Sequence, residues 1–238
     1  MTTTLIVPGL NSSGPDHWQS WFEAHIPGTV RVIQTDWSKP DLPAWAARVR
    51  RDITRSPGRL IIVAHSFGAL AAVQAAYDHA GRIAGALLVA PADPIKFGVE
   101  NLIPQRPLPF PSVVVGSAND PWMSLERSAH WADLWGSDFV NLGNAGHINV
   151  ESGFGPWPEG LSLYARLRRA AEVRQAAARL EFAHIQRSRF ISRRHANGHE
   201  VRHRSAYDGR DLKHAAAVLE RAGWSVTPPD HQDYVLSA

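Results

Sequence analysis

The 238-residue chain contains no cysteine. Disulfides, thiolate nucleophiles and cysteine-ligated metals are thereby excluded, and nothing in the chain demands an oxidising compartment. Long apolar runs are also missing. No segment approaches the roughly 20 apolar residues of a membrane-spanning helix. The N-terminal MTTTLIVPGL has no basic n-region and too short an apolar run for a signal peptide. Nor is there a large excess of charge: 25 Lys+Arg stand against 22 Asp+Glu, a formal net charge of +3. The pI of about 9.6 owes more to arginine than to that excess and argues only weakly for an anionic partner. The expectation is a soluble, cytoplasmic protein with no membrane association.

What is present is an alternation. Six short apolar runs read as strands: Thr4 to Val7, Val30 to Gln34, Leu60 to Ala64, Gly85 to Ala90, Ser112 to Gly116 and Phe139 to Leu142. Amphipathic segments lie between most of them, at His17 to His25, Leu42 to Thr54 and Ser124 to Trp135. In the second of these, Trp45, Val49 and Ile53 recur every four residues, with arginines on the other face. Strands alternating with helices imply a parallel sheet covered on both faces, an α/β fold. The proline-rich connection Pro91 to Pro111 is too long for a tight loop and reads either as a lid or as a surface excursion.

The stretch LIIVAHSFGALAAV, Leu60 to Val73, passes from a buried strand into a helical pattern with Ser66 at the join. A-H-S-F-G differs by one residue from the G-x-S-x-G nucleophile elbow. Small residues are needed two before and two after the serine because strand and helix cross closely there, and Ala64 and Gly68 meet that need. A serine capping a buried helix would fit the same five residues, so other residues must decide. A serine hydroxyl needs a histidine to take its proton and a carboxylate to hold that histidine in the right tautomer. Asp120, in VVVGSANDPW, and His147, in FVNLGNAGHINVESG, follow the fifth and sixth strands in the order serine, acid, histidine. Both stand where an open parallel sheet gathers its ligands. Asp93 is the alternative acid, and His65 is expected to point away from Ser66 in a structural role. Oxyanion donors are expected from the backbone N–H of Phe67 and from the N–H of Leu10 or Asn11 beyond Gly9. Trp18, Trp122 and Trp157 lie close to these loops and are candidates to line a substrate pocket, with ordinary core packing as the alternative for each.

VPGLNSSGPDHWQSWF, VAHSFGAL, SANDPW and GHINVESGFGPWPEG together resemble the small α/β-hydrolases grouped with retinoblastoma-binding protein nine and the YdeN-type serine hydrolases. The similarity covers Thr3 to about Arg179. The resemblance implies a compact six-stranded parallel sheet of order 2-1-3-4-5-6 and a triad of Ser66, Asp120 and His147, and the chemistry read from these residues needs no cofactor and no metal. The expected activity is hydrolysis of a small ester or acyl substrate through an acyl-enzyme. A peptidase or amidase using the same triad is a second reading, and a protein-binding member with a vestigial site is a third.

Near Arg179 the character changes. Eight of the nine tryptophans lie upstream, so residues 1–179 are expected to form the hydrolase domain, ending in a helix from Leu161 to Arg179. Residues 180–238 are expected to be a basic, His-rich extension, partly helical or disordered. Arg187, Arg189, Arg193, Arg194, Arg202 and Arg204 cluster there, but nine Lys/Arg against seven Asp/Glu is too small an excess to support a nucleic-acid partner. His195, His199 and His203 repeat every four residues like metal ligands, yet Asn197-Gly198 interrupts the helix they would need. A helix over Asp211 to Ala222 would carry Ala215, Val218 and Leu219 as a packing stripe.

Overall fold

Strands whose side chains are apolar on both faces can only be interior, and this requirement organises the sheet. The computed structural model describes residues 2–197, 209–222, 225–227 and 235–237. Strands β1 (Thr2–Val7), β2 (Thr29–Arg31), β3 (Arg59–His65), β4 (Ile83–Val89), β5 (Ser112–Gly116) and β6 (Asp138–Asn141) form an all-parallel sheet of order β2-β1-β3-β4-β5-β6. Its centre is dry: Leu60 to Ala64 of β3 and Leu87 to Val89 of β4 are fully buried. Each large aliphatic chain so placed contributes about 1.5–3 kcal/mol of transfer free energy. In register, Leu5 of β1 lies beside Ile62 of β3, which lies beside Ala86 of β4.

The helices follow local signals. In α2 (Leu42–Arg55), Asp41 caps the N-terminus by accepting from Ala44 N–H at 3.1 Å, and Leu42, Trp45, Ala46, Val49 and Ile53 are buried. Helix α4 (Leu125–Trp135) starts on Ser124 and stops at Gly136 in the left-handed region. Helix α3 (Phe67–Tyr77) is buried nearly all round, which its alanines allow. Helix α1 (Trp18–His25) begins on His17.

Two expectations shift. The second strand is shorter than the apolar run Val30 to Gln34 implies. Val32 N–H still bonds Ile6 O at 2.9 Å, but β1 ends at Val7 and Ile33, 54 % exposed, has no strand to pair with. The helix expected over Leu161 to Arg179 is longer, α5 (Pro158–Asn197). The segment Pro91 to Pro111 is packed: Val99, Ile103, Leu108 and Phe110 are core residues, and Trp135 Nε1–H holds Pro104 O at 2.9 Å.

The chain divides into two compact units, residues 1–168 and 169–238. In the second, α6 (Gly209–Arg221) buries Ala215 and Leu219 against Ala176, with Val218, Val173 and Ala177 alongside. Strands β7 (Ser225–Thr227) and β8 (Val235–Ser237) pair antiparallel. Among the described residues, no helix is long and apolar enough to cross a membrane. The side chains of the arginine cluster (Arg187, Arg189, Arg193, Arg194, Arg202 and Arg204) and of His195, His199 and His203 lie outside the described residues.

Candidate active site

At the β3–α3 junction Ser66 takes φ 55° and ψ −130°, a conformation costing a non-glycine residue on the order of 1–3 kcal/mol. Close packing enforces it. A Cβ on Gly9 would stand 2.7 Å from Ser66 Cβ, and one on Gly68 would stand 2.7 Å from the carbonyl oxygen of Val7. The two glycines therefore let the end of β1 lie directly on the turn. Ser66 N–H bonds Val89 O at 3.1 Å, tying the turn to β4 as well.

The structure brings Ser66, His147 and Asp120 together. His147 Nε2 accepts from Ser66 Oγ at 2.8 Å, and His147 Nδ1–H donates to Asp120 at 2.9 Å (Oδ1) and 3.0 Å (Oδ2). The acceptor-only carboxylate assigns the proton to Nδ1. Asp93 is elsewhere: its carboxylate forms a two-bond pair with Arg127 at 2.7 and 2.8 Å. That charge-assisted fork fastens the Pro91–Pro111 segment to α4, and Lys96 Nζ, donating to Pro121 O at 2.6 Å, fastens it to the Asp120 loop.

Sequence reading missed what holds the histidine. Ser117 Oγ and Asn119 Oδ1, beyond β5, accept the backbone N–H groups of Ala145 (3.0 Å) and Gly146 (2.7 Å), beyond β6. His147 N–H donates to Ser152 Oγ at 3.1 Å, and its carbonyl accepts from His65 Nε2–H at 2.9 Å. The next residue, Ile148, is buried with φ 50°, and its carbonyl accepts from Trp18 Nε1–H at 2.9 Å. Burial of His65 pushes its pKa well below the ordinary value, with the nearby imidazoles of His147 and His17 adding to the shift. It therefore stays a neutral donor. The small polar residues of SANDP were the available signal; Ile148 carried none.

Ser66 and His147 open into a cavity of about 360 Å³. Of the three tryptophans expected there, Trp122 lines it, 44 % exposed and stacked on Phe97 at 6.1 Å. Trp18 and Trp157 do not line it. They are buried and meet edge to face at 5.3 Å, because the indole of Trp18 is spent on the Ile148 carbonyl and Trp157 packs behind it. Phe97, from the proline-rich segment, is the aromatic that sequence reading left out.

On the expected oxyanion donors the geometry discriminates. Asn11 N–H is bonded to Trp37 O at 2.9 Å, whereas the N–H groups of Leu10 and Phe67 meet no acceptor among the described residues. Phe67 opens α3, where the helix dipole favours negative charge.

A serine hydrolase family profile matches residues 4–166. The chain belongs to the serine hydrolase family. Its YdeN-type character rests on a protein from Pectobacterium atrosepticum described as a YdeN-like hydrolase. The two are 41% identical over 72% of this chain and 92% of that one, with a TM-score of 0.69. The ydeN gene product of Bacillus subtilis shares the fold at 16% identity, with a TM-score of 0.60 over 70% of this chain and 98% of that one. No curated protein matches. The α/β-hydrolase fold expected from the motifs is thus the fold of this hydrolase.

Proposed function

We propose that this hydrolase is a carboxylesterase acting on small ester substrates through a Ser66 acyl-enzyme, with His147 as base and Asp120 as its orienting acid. The observation that carries the reading is the unbroken chain from Ser66 Oγ through His147 to Asp120, 2.8 and 2.9 Å long, on a serine held at φ 55°. Ser66 Oγ–H passes its proton to His147 Nε2 as Oγ bonds to the acyl carbon. The carbonyl oxygen becomes an oxyanion facing the N–H groups of Phe67 and Leu10, donors worth about 3–4 kcal/mol each by mutational precedent. Collapse breaks the bond to the leaving alcohol, which takes the proton from Nε2. A water deprotonated by the same nitrogen then attacks the acyl carbon, Oγ leaves with that proton, and the carboxylic acid departs. Every residue in this scheme lies within residues 1–168, and residues 169–238 are proposed to supply no reacting group.

The test is covalent. A fluorophosphonate should label folded protein at Ser66 alone, because among the described residues no other serine is hydrogen-bonded to a histidine ring. Peptide mapping that finds the label on another residue, or no label at all, rejects the mechanism. An aryl ester turned over by the labelled-site variant Ser66→Ala would do the same.

A further inference from the structure

His17 is 5% exposed and lines the cavity with Ser66 and His147. Its Nδ1 is occupied: it accepts Gln19 N–H at 3.1 Å as the cap of α1. An imidazole that accepts through Nδ1 while neutral must carry its proton on Nε2. Neutrality is enforced, since burial, helped by Arg31 and His147, lowers its pKa to about 4. The ring is also held in place, edge-on to His65 at 5.0 Å and 5.4 Å from Trp18. Nε2–H nevertheless bonds no acceptor among the described residues, and it is not among the fully enclosed atoms without a partner. A rigid, buried, uncharged donor is thus left open on the substrate side. The apolar part of the lining, Leu10, Phe97, Trp122 and Val150, offers nothing for it to bond.

Building on the esterase reading, we infer that His17 Nε2–H is a substrate-recognition donor, selecting esters with a second acceptor oxygen, such as an ether, hydroxyl or carbonyl oxygen, beyond the reacting carbonyl. A donor that a bound ester closes off from water without bonding is costly, so a substrate that satisfies it gains over an isosteric hydrocarbon that leaves it bare. The substrate class is accordingly a small oxygenated ester whose apolar portion meets Phe97 and Trp122.

The experiment compares isosteric pairs. In the acyl series, p-nitrophenyl pentanoate is set against the ethoxyacetate and 3-methoxypropanoate esters; in the alcohol series, butyl butyrate is set against 2-methoxyethyl butyrate. Each is measured with wild type and with His17→Ser, which keeps a good helix cap but cannot present the N–H. Intrinsic ester reactivity and partial misfolding cancel in the ratio of ratios. For at least one oxygen position the preference for the oxygenated ester should fall by about three- to tenfold in the variant, the worth of one neutral hydrogen bond. Should His17→Ser not fold, the wild type decides alone. In ¹⁵N-edited NMR the His17 Nε2–H proton should move downfield on binding ethoxymethyl or methoxyethyl trifluoromethyl ketone and not with butyl trifluoromethyl ketone. Equal ratios at every position, or identical shifts with all three ketones, make His17 a helix cap only. Failure of the wild type to hydrolyse any of these esters overturns the esterase reading and this inference together.

Discussion

The two halves of the candidate site are held by different means. On the serine side the restraint is backbone against backbone, with Gly9 and Gly68 allowing β1 to touch the Ser66 turn. On the histidine side it is side chain to backbone, with Ser117, Asn119, Ser152, His65 and Trp18 each holding one group of the Ala145–Ile148 segment. The first arrangement tolerates no added atom. The second tolerates changes of size but not loss of a donor or acceptor. A site assembled this way has a rigid reference point, and its histidine is adjusted against it by hydrogen bonds.

The largest way to break the second half is at Asp120, the proposed acid. Asp120→Asn should lower kcat on an aryl ester by about 10⁴-fold with little change in thermal melt, because His147 is left in the wrong tautomer. Asp93→Asn should leave kcat within a few-fold while lowering the melting temperature, since it breaks the pair with Arg127. Steady-state rates and melts of the two variants check the ranking, and the reverse order would move the acid to Asp93.

A smaller effect sharpens the contrast between the halves. Gly9→Ala should displace Ser66 and cost about 10²-fold in kcat, the price of a misplaced reacting group. Asn119→Ala deletes an acceptor for Gly146 N–H and should cost about tenfold, the equivalent of one hydrogen bond of positioning. If Asn119→Ala proves the more damaging, the histidine side is the more tightly constrained of the two.

A last expected effect is on stability rather than on rate. His17 is held neutral down to about pH 4, against an ordinary value of 6.5. Between those values the unfolded chain binds more protons than the folded one, so stability rises with pH there and is lost on acidification. The loss through His17 is on the order of 3 kcal/mol by pH 4. Melting temperature should fall between pH 6.5 and pH 4, and less steeply in His17→Ser. Parallel slopes for the two proteins would show that His17 is not the group responsible.

The strands themselves and the Ser66 turn were legible because they follow from short-range rules, whereas the strand order came from the resemblance of the motifs to a known family. An apolar run must be buried on both faces, and a serine turn between strand and helix needs small flanks, which Ala64 and Gly68 supply. Asp120 and His147 were legible from their place after consecutive strands. The tryptophans were not, because an indole near a motif serves equally as pocket wall or as clamp. Only the placement of Ile148 O under Trp18 Nε1 decides between them. Phe97 was hidden for a related reason: a long proline-rich connection gives no period from which to tell which side chain turns inward. The length of α5 was missed because the change in composition near Arg179 is not accompanied by a helix-stop signal.

Gly9 has a consequence for how the site behaves when the molecule is warmed. With the end of β1 seated on the Ser66 turn there is no slack between them, so the serine and the Leu10 N–H share one mounting and drift together. The Ala145–Ile148 segment hangs from five separate fasteners, any of which can let go alone. Heat should therefore put the histidine out of step with the serine while the sheet is still intact, and the protein would fall silent before it melts.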